Sequence, residues 1–225
     1  MIDFGSVEVS LKLATASTLL LLFIATPLSW WLANTKWRIK PIVEAVTALP
    51  LVLPPTVLGF YLLILFNPNS VAGSLWLRIT GDTLAFSFVG ILIATVIHSL
   101  PFAVQPLQAA FESVGRRPVE TAASLGANPL DAFATVAVPL AKRGFLTAAV
   151  LGFAHSLGEF GVVLMVGGNI PDKTRVISID IYTSVEVLDY RQAHILSIGM
   201  LCFSFVVLAA LFVVNRRYSL NDEAR

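Results

Sequence analysis

The stretch 119–144, VETAASLGANPLDAFATVAVPLAKRG, decides how the rest of the chain is read. It lies between two long apolar segments and is the least membrane-like part of the middle of the chain. Pro118 and Glu120 suit the first turn of a short helix. Proline's missing N–H would be unpaired there anyway, and a carboxylate complements the positive helix end. Gly126 ends that helix, because glycine accepts the left-handed turn of a helix exit. Asn128 then caps a second helix, with Pro129 at its first position and Asp131 in its first turn. Pro139 stops it. The spacing predicts a helix, a glycine elbow and a second helix, held between two membrane spans.

The composition around this stretch is that of an integral membrane protein. Of 225 residues, 56% are hydrophobic and 13% charged, with a mean hydropathy of +0.82. Soluble globular chains carry about 25% charged residues. A net charge of +1 with no basic run gives no reason to expect a nucleic-acid partner. Cys202 is the single cysteine, which excludes an internal disulfide and a cysteine-based metal cluster. The opening MIDFGSVEVS lacks the basic region that precedes a signal-peptide core, so no cleavable leader is expected. No tandem repeat or linker divides the chain, and residues 1–225 read as a single transmembrane domain.

A membrane helix needs about 20 mostly apolar residues. Five segments qualify, at about 9–32, 42–66, 84–107, 145–166 and 193–214. Lys36, Arg38 and Lys40 follow the first; Arg116, Arg117, Lys142 and Arg143 lie in the loop after the third; Arg216 and Arg217 follow the fifth. Short loops rich in Lys and Arg stay cytoplasmic. The expected topology therefore has the N-terminus outside, the C-terminus inside and the 118–144 loop in the cytoplasm. In the external segment 176–188, Ile177, Ile181, Val185 and Leu188 share a helical face, with Asp180, Ser184 and Glu186 largely elsewhere. This predicts a short amphipathic helix at the outer surface, one that caps a pore, meets an external partner or rests at the interface.

The 119–144 stretch resembles the EAA loop of ABC importer permeases. That pattern is Glu-Ala-Ala, three residues, Gly, nine residues, then Ile-x-Leu-Pro. Glu120, Thr121, Ala122, Gly126, Val136, Val138 and Pro139 stand at the matching spacings, with departures at Thr121, Val136 and Val138. The resemblance implies an all-α membrane protein with the type I ABC importer permease core. In it the cytoplasmic coupling loop 118–144 docks in a groove of a partner ATPase, with Glu120, Ala122, Gly126, Ala127, Asn128, Pro129, Leu130 and Phe133 carrying the contact. Two further phrases, LPLVLPPTVLGF at 49–60 and SLGEFG at 156–161 followed by Asn169-Ile170-Pro171, are similar to segments of the molybdate and sulfate permeases in that family. The implied cargo is molybdate, with sulfate, thiosulfate or tungstate as the alternative. The implied partners are an ABC ATPase, a periplasmic or extracellular oxyanion-binding protein, a second copy of the chain and the lipid bilayer. The implied location is the bacterial inner (plasma) membrane, spanned several times.

The residues themselves point to a pathway. Pro50, Pro54 and Pro55 remove backbone donors and should kink or unwind the second segment. Irregular backbone survives at membrane depth only beside protein or a water-filled cavity. Glu159 is a carboxylate in an apolar span, which is costly unless paired. His155, four residues earlier, shares its helix face. A carboxylate repels an oxyanion dianion, so Glu159 is expected to hold a gate or to meet basic residues such as Lys173 or Arg175. The hydroxyl of Ser156 suits an oxyanion better. His98 either lines the path or is a lone histidine satisfied at a helix contact. The pathway or gate candidates are Pro54, Pro55, Thr56, His98, Ser156 and Glu159. No Walker lysine motif, HExxH or GxSxG occurs. No catalytic residue and no metal ligand are assigned, and ATP and Mg are expected on the partner ATPase. An autonomous anion channel, a secondary carrier and a structural anchor for an ATPase are the rival classes.

Overall fold

The computed structural model describes residues 5–223, with side chains through residue 213; Arg216 and Arg217 lie outside the described side chains. All the regular secondary structure among the described residues is helical. The helices are α1 (Gly5–Asn34), α2 (Lys40–Val52), α3 (Pro55–Phe66), α4 (Val71–Thr80), α5 (Phe88–Val114), α6 (Arg117–Ser124) and α7 (Pro129–Ala132). A π-helical turn, Phe133–Ala137, leads into α8 (Val138–Leu140), α9 (Lys142–Leu157), α10 (Gly161–Gly167), α11 (Ile177–Glu186) and α12 (Tyr190–Glu223). Among the described residues three helices are long and apolar enough to cross a membrane alone: α1, α5 and α12 through Val213. Two bent pairs bring the total to as many as five: α2 with α3, at 110°, and Pro129–Leu140 with α9, at 72°. This is the all-α membrane architecture expected from the sequence.

The centre of the bundle is α1, α5 and α9, which pack against one another more closely than any other set. The sequence of α1 explains the close approach. Its buried face carries Ser6, Ser10, Ala14, Ser17, Ala25 and Ser29 among Leu13, Leu21 and Leu32, a stripe of small residues recurring at helical spacing. Small residues let apolar helices meet backbone to backbone where no hydrophobic effect drives them together. Ser29 Oγ donates to the carbonyl of Val104 in α5 at 3.0 Å. On the α5–α9 contact, a Cβ on Gly144 would lie 2.3 Å from Ala110 Cβ and 3.0 Å from the carbonyl oxygen of Pro106.

The second segment breaks where its prolines were expected to kink or unwind it: the chain is extended at Leu53 and Pro54, between α2 and α3. The fourth segment also breaks: α9 ends at Leu157 and α10 begins at Gly161. The second loop helix ends one residue beyond Pro139, at Leu140, and the chain turns at Ala141 into α9.

Helix α11 also differs from its expected pattern. Its buried face is Ile177, Ile179, Asp180 and Ser184, while Val185 and Leu188 are exposed. The reason is polar: Ser6 Oγ donates to Asp180 Oδ2 at 2.7 Å, and the Ile177 N–H donates to Ser10 Oγ at 2.7 Å. Asp180 is drawn inward against the small-residue stripe of α1.

Gly144→Ala should lower the thermal stability of the detergent-purified protein by about 1–3 kcal/mol, because the added methyl overpacks the α5–α9 contact. Gly199→Ala, where nothing lies within 4 Å of the new Cβ, should leave the melting temperature unchanged or raise it.

Candidate functional site

The two breaks have different local causes. At the first, Leu53 precedes Pro54 and Pro54 precedes Pro55. A residue before proline is pushed out of the helical region, and both adopt ψ of 134°. At the second, Gly158 and Phe160 depart from helical geometry and α10 restarts at Gly161. The restart is capped by Glu159, whose Oε1 accepts from the Val162 N–H at 3.2 Å. The carbonyl of Glu159, freed by the break, accepts from Ser178 Oγ on α11 at 2.5 Å.

The breaks then meet. A Cβ on Gly161 would lie 2.8 Å from Pro55 Cβ, and one on Gly59 would lie 2.7 Å from Met165 Cβ. These glycines let α3 and α10 touch along their length. Beside the junction lies a cleft of about 520 Å³, lined by Pro55, Thr56, His98, His155, Glu159 and Gly161 among others. Four of the six pathway candidates, Pro55, Thr56, His98 and Glu159, therefore line one space. Pro54 sets the break without lining the cleft. Ser156 is buried, with its hydroxyl 3.3 Å from Ser99 Oγ.

The chemistry of the cleft centres on Glu159, only 5% exposed, and His98, 8% exposed. His98 Nδ1 lies 2.6 Å from Glu159 Oε2. An ionised carboxylate can only accept, so Nδ1 carries the proton in that contact. His155 Nδ1 lies 4.0 Å from the same oxygen and 2.9 Å from Ser99 Oγ. The His155 ring stacks on Phe102 at 4.0 Å. The expectation that Glu159 meets Lys173 or Arg175 is corrected: Arg175 Nε donates to Asn169 Oδ1 at 2.7 Å, and Lys173 borders a separate cleft near Trp76 and Asp82. His98 is accordingly no lone histidine but the partner of Glu159. Ser99, Phe102 and Ser178 belong to the site and were missed, because nothing in the sequence marks the facing sides of α5, α9 and α11.

The loop 118–144 forms a second feature. Gly126 has φ +93°, the left-handed turn expected of it. The Asn128 side chain accepts from the Asp131 N–H at 2.9 Å and caps α7. Arg116 donates to the Asn34 carbonyl and ties the loop to the end of α1. Leu125 and Leu130 stand 85% and 78% exposed on either side of the elbow. Phe133 faces the other way: its ring lies 5.2 Å from Trp30 and 6.0 Å from Phe111, inside the bundle's aromatic cluster. Among the loop residues named from the sequence, Phe133 is therefore an anchor to the spans. Leu125, exposed like Leu130, was not named from the sequence, although a leucine beside an elbow glycine was a readable signal.

His98→Ala leaves a buried carboxylate without its nearest partner and should cost about 3–5 kcal/mol of stability. Glu159→Gln, which keeps a hydrogen-bonding group of the same shape, should cost less. Thermal melts of the two purified variants check the order.

A family model described as "Binding-protein-dependent transport system inner membrane component" matches residues 25–222. The molybdenum transport system permease protein ModB of Azotobacter vinelandii is 55% identical over 214 residues, covering 95% of each chain. The probable sulfate transport system permease protein cysT of Zygnema circumcarinatum is 32% identical over 217 residues, 95% of this chain and 74% of that one. Among solved structures, a bacterial alginate ABC transporter in complex with an alginate pentasaccharide-bound periplasmic protein superposes with a TM-score of 0.77 at 16% identity, over 97% of this chain and 80% of that one. At that identity the superposition speaks for the fold alone, while the family match runs from within α1 to within α12. The chain belongs to the family of binding-protein-dependent transport system inner membrane components.

Proposed function

We propose that this chain is the membrane permease subunit of an ATP-driven importer whose cargo is molybdate. The single observation that carries the reading is the 55% identity, over 95% of both chains, to a molybdenum permease. The 520 Å³ cleft at two facing helix breaks supports it, since interrupted spans lining a cavity are where carriers bind and gate solutes. In this reading the His98–Glu159 contact holds the gate, and the cargo avoids the carboxylate. Sulfate, favoured by the relative named as a probable sulfate permease, is the second reading, and thiosulfate and tungstate share the shape and charge.

The chain acts here as a transport subunit and not as an enzyme. ATP and Mg bind a partner ABC ATPase, and an external oxyanion-binding protein delivers the anion. Two copies of the chain pair to enclose the path. The N-terminus lies outside and the C-terminus inside, as the basic loops require. Glu120, Ala122, Gly126, Ala127, Asn128, Pro129 and Leu130 meet the ATPase, with Leu125 beside them. ATP draws the ATPases together, the coupling loops follow, and the path opens outward; hydrolysis returns it inward.

In cells lacking their own uptake system, the chain with its ATPase and binding protein should restore uptake of labelled molybdate against excess sulfate. Preferential competition by sulfate would support the second reading. Uptake that persists without the ATPase and collapses with a proton uncoupler would point to a secondary carrier instead.

Leu125→Asp with Leu130→Asp should abolish capture of the ATPase in a pull-down while the protein still inserts in the membrane. Gly126→Pro should do the same, because proline cannot adopt φ +93°. Retained capture with normal uptake in both variants would refute the docking assignment.

A further inference from the structure

No metal ligand is assigned from the sequence, and His98 and Glu159 stand 61 positions apart. Folding nevertheless gathers His98, His155 and Glu159 so that one ring nitrogen from each histidine and one carboxylate oxygen all lie within 4.8 Å of one another. We propose that these three side chains form a binding site for a borderline divalent transition-metal ion of the Zn²⁺ type.

The donor set fits that class of ion. Two imidazoles and a carboxylate suit Zn²⁺, Cu²⁺ or Ni²⁺, whereas Mg²⁺ and Ca²⁺ take oxygen ligands. Zinc holds nitrogen and oxygen at about 2.0–2.2 Å in a tetrahedron, which puts neighbouring ligand atoms about 3.4 Å apart. The observed separations to Glu159 Oε2, 2.6 Å from His98 Nδ1 and 4.0 Å from His155 Nδ1, bracket that value. The ion enters by opening the first contact and closing the second.

The ligands are also oriented. The second oxygen of Glu159 is held by the Val162 N–H, and the His155 ring is fixed by its stack on Phe102. Such outer contacts set ligand direction and affinity. His98, His155 and Glu159 all border the 520 Å³ cleft, which leaves a fourth position open to water or an anion oxygen. The bound ion ties α5, α9 and the α9–α10 break together. It also adds positive charge to the cluster. Any effect of that charge on an oxyanion rests on the permease reading; the binding itself does not.

The test uses the full-length protein, purified through a tag without histidine, stripped with a chelator and titrated with Zn²⁺ and then Co²⁺. One ion per chain is expected. Co²⁺ should show the intense visible bands of a four-coordinate site, and Zn²⁺ should raise the melting temperature. His155→Ala and Glu159→Gln should each weaken binding beyond the roughly 10–100-fold loss that outer-shell changes cause. His194→Ala, on the exposed face of α12, should bind like wild type, and excess Mg²⁺ should not compete. The proposal is overturned if wild type retains no ion, if the Co²⁺ spectrum stays that of the hydrated ion, or if both ligand variants bind as tightly as wild type. Since the readout is binding, a failed metal site leaves the permease reading intact, and a failed uptake assay leaves the metal result intact.

Discussion

Inside a bilayer every backbone N–H and C=O must find its partner within the protein or in a water-filled cavity beside it. This chain interrupts two of its apolar segments, and each interruption frees groups that need such partners. The structure meets the demand by placing the breaks together. Pro55 at one faces Gly161 at the other, and the cleft opens beside them. Glu159 serves the junction three ways. Oε1 caps α10, Oε2 meets His98 on the unbroken α5, and its carbonyl receives the Ser178 hydroxyl from α11. A carboxylate at this depth is costly alone. Here it is the knot that joins three helices, so its cost is offset where irregular backbone has to be held.

The packing around the knot divides into a tight part and a loose one. The small-residue face of α1 and the glycines at 59, 144 and 161 bring backbones close, and close backbones leave little freedom to slide. In contrast, the apolar window of α12 is only 11% buried, and that helix leans on α9 and α11. Its remaining apolar surface faces whatever surrounds the bundle.

The loop 118–144 is coupled to the tight part by two routes. Phe133 sits among Trp30 of α1 and Phe111 of α5, and Phe111 in turn meets Phe145 of α9 at 5.9 Å. The chain itself continues through the bend at Ala141 into α9, whose far end is the break at Gly158. Packed aromatic rings and a helix that ends at the cleft thus link the exposed Leu125–Leu130 elbow to the junction. The π-turn Phe133–Ala137 lies between elbow and bend, a wider and less regular helix of the kind often found at functional sites.

Much of this was legible in the residues. Long apolar runs announced the spans, because hydrocarbon selects for them regardless of what they pack against. Pro54-Pro55 announced the first break, since proline acts on its own neighbours. Gly126 and Asn128 announced the elbow for the same local reason. What sequence could not supply were contacts between positions far apart. The pairing of Glu159 with His98 rather than with Lys173 or Arg175, the inward turn of Asp180 toward Ser6, and the packing of Phe133 against Trp30 all depend on which faces of α1, α5, α9 and α11 meet. Helical periodicity assigns residues to a face, but only the packing of one helix on another decides what that face touches.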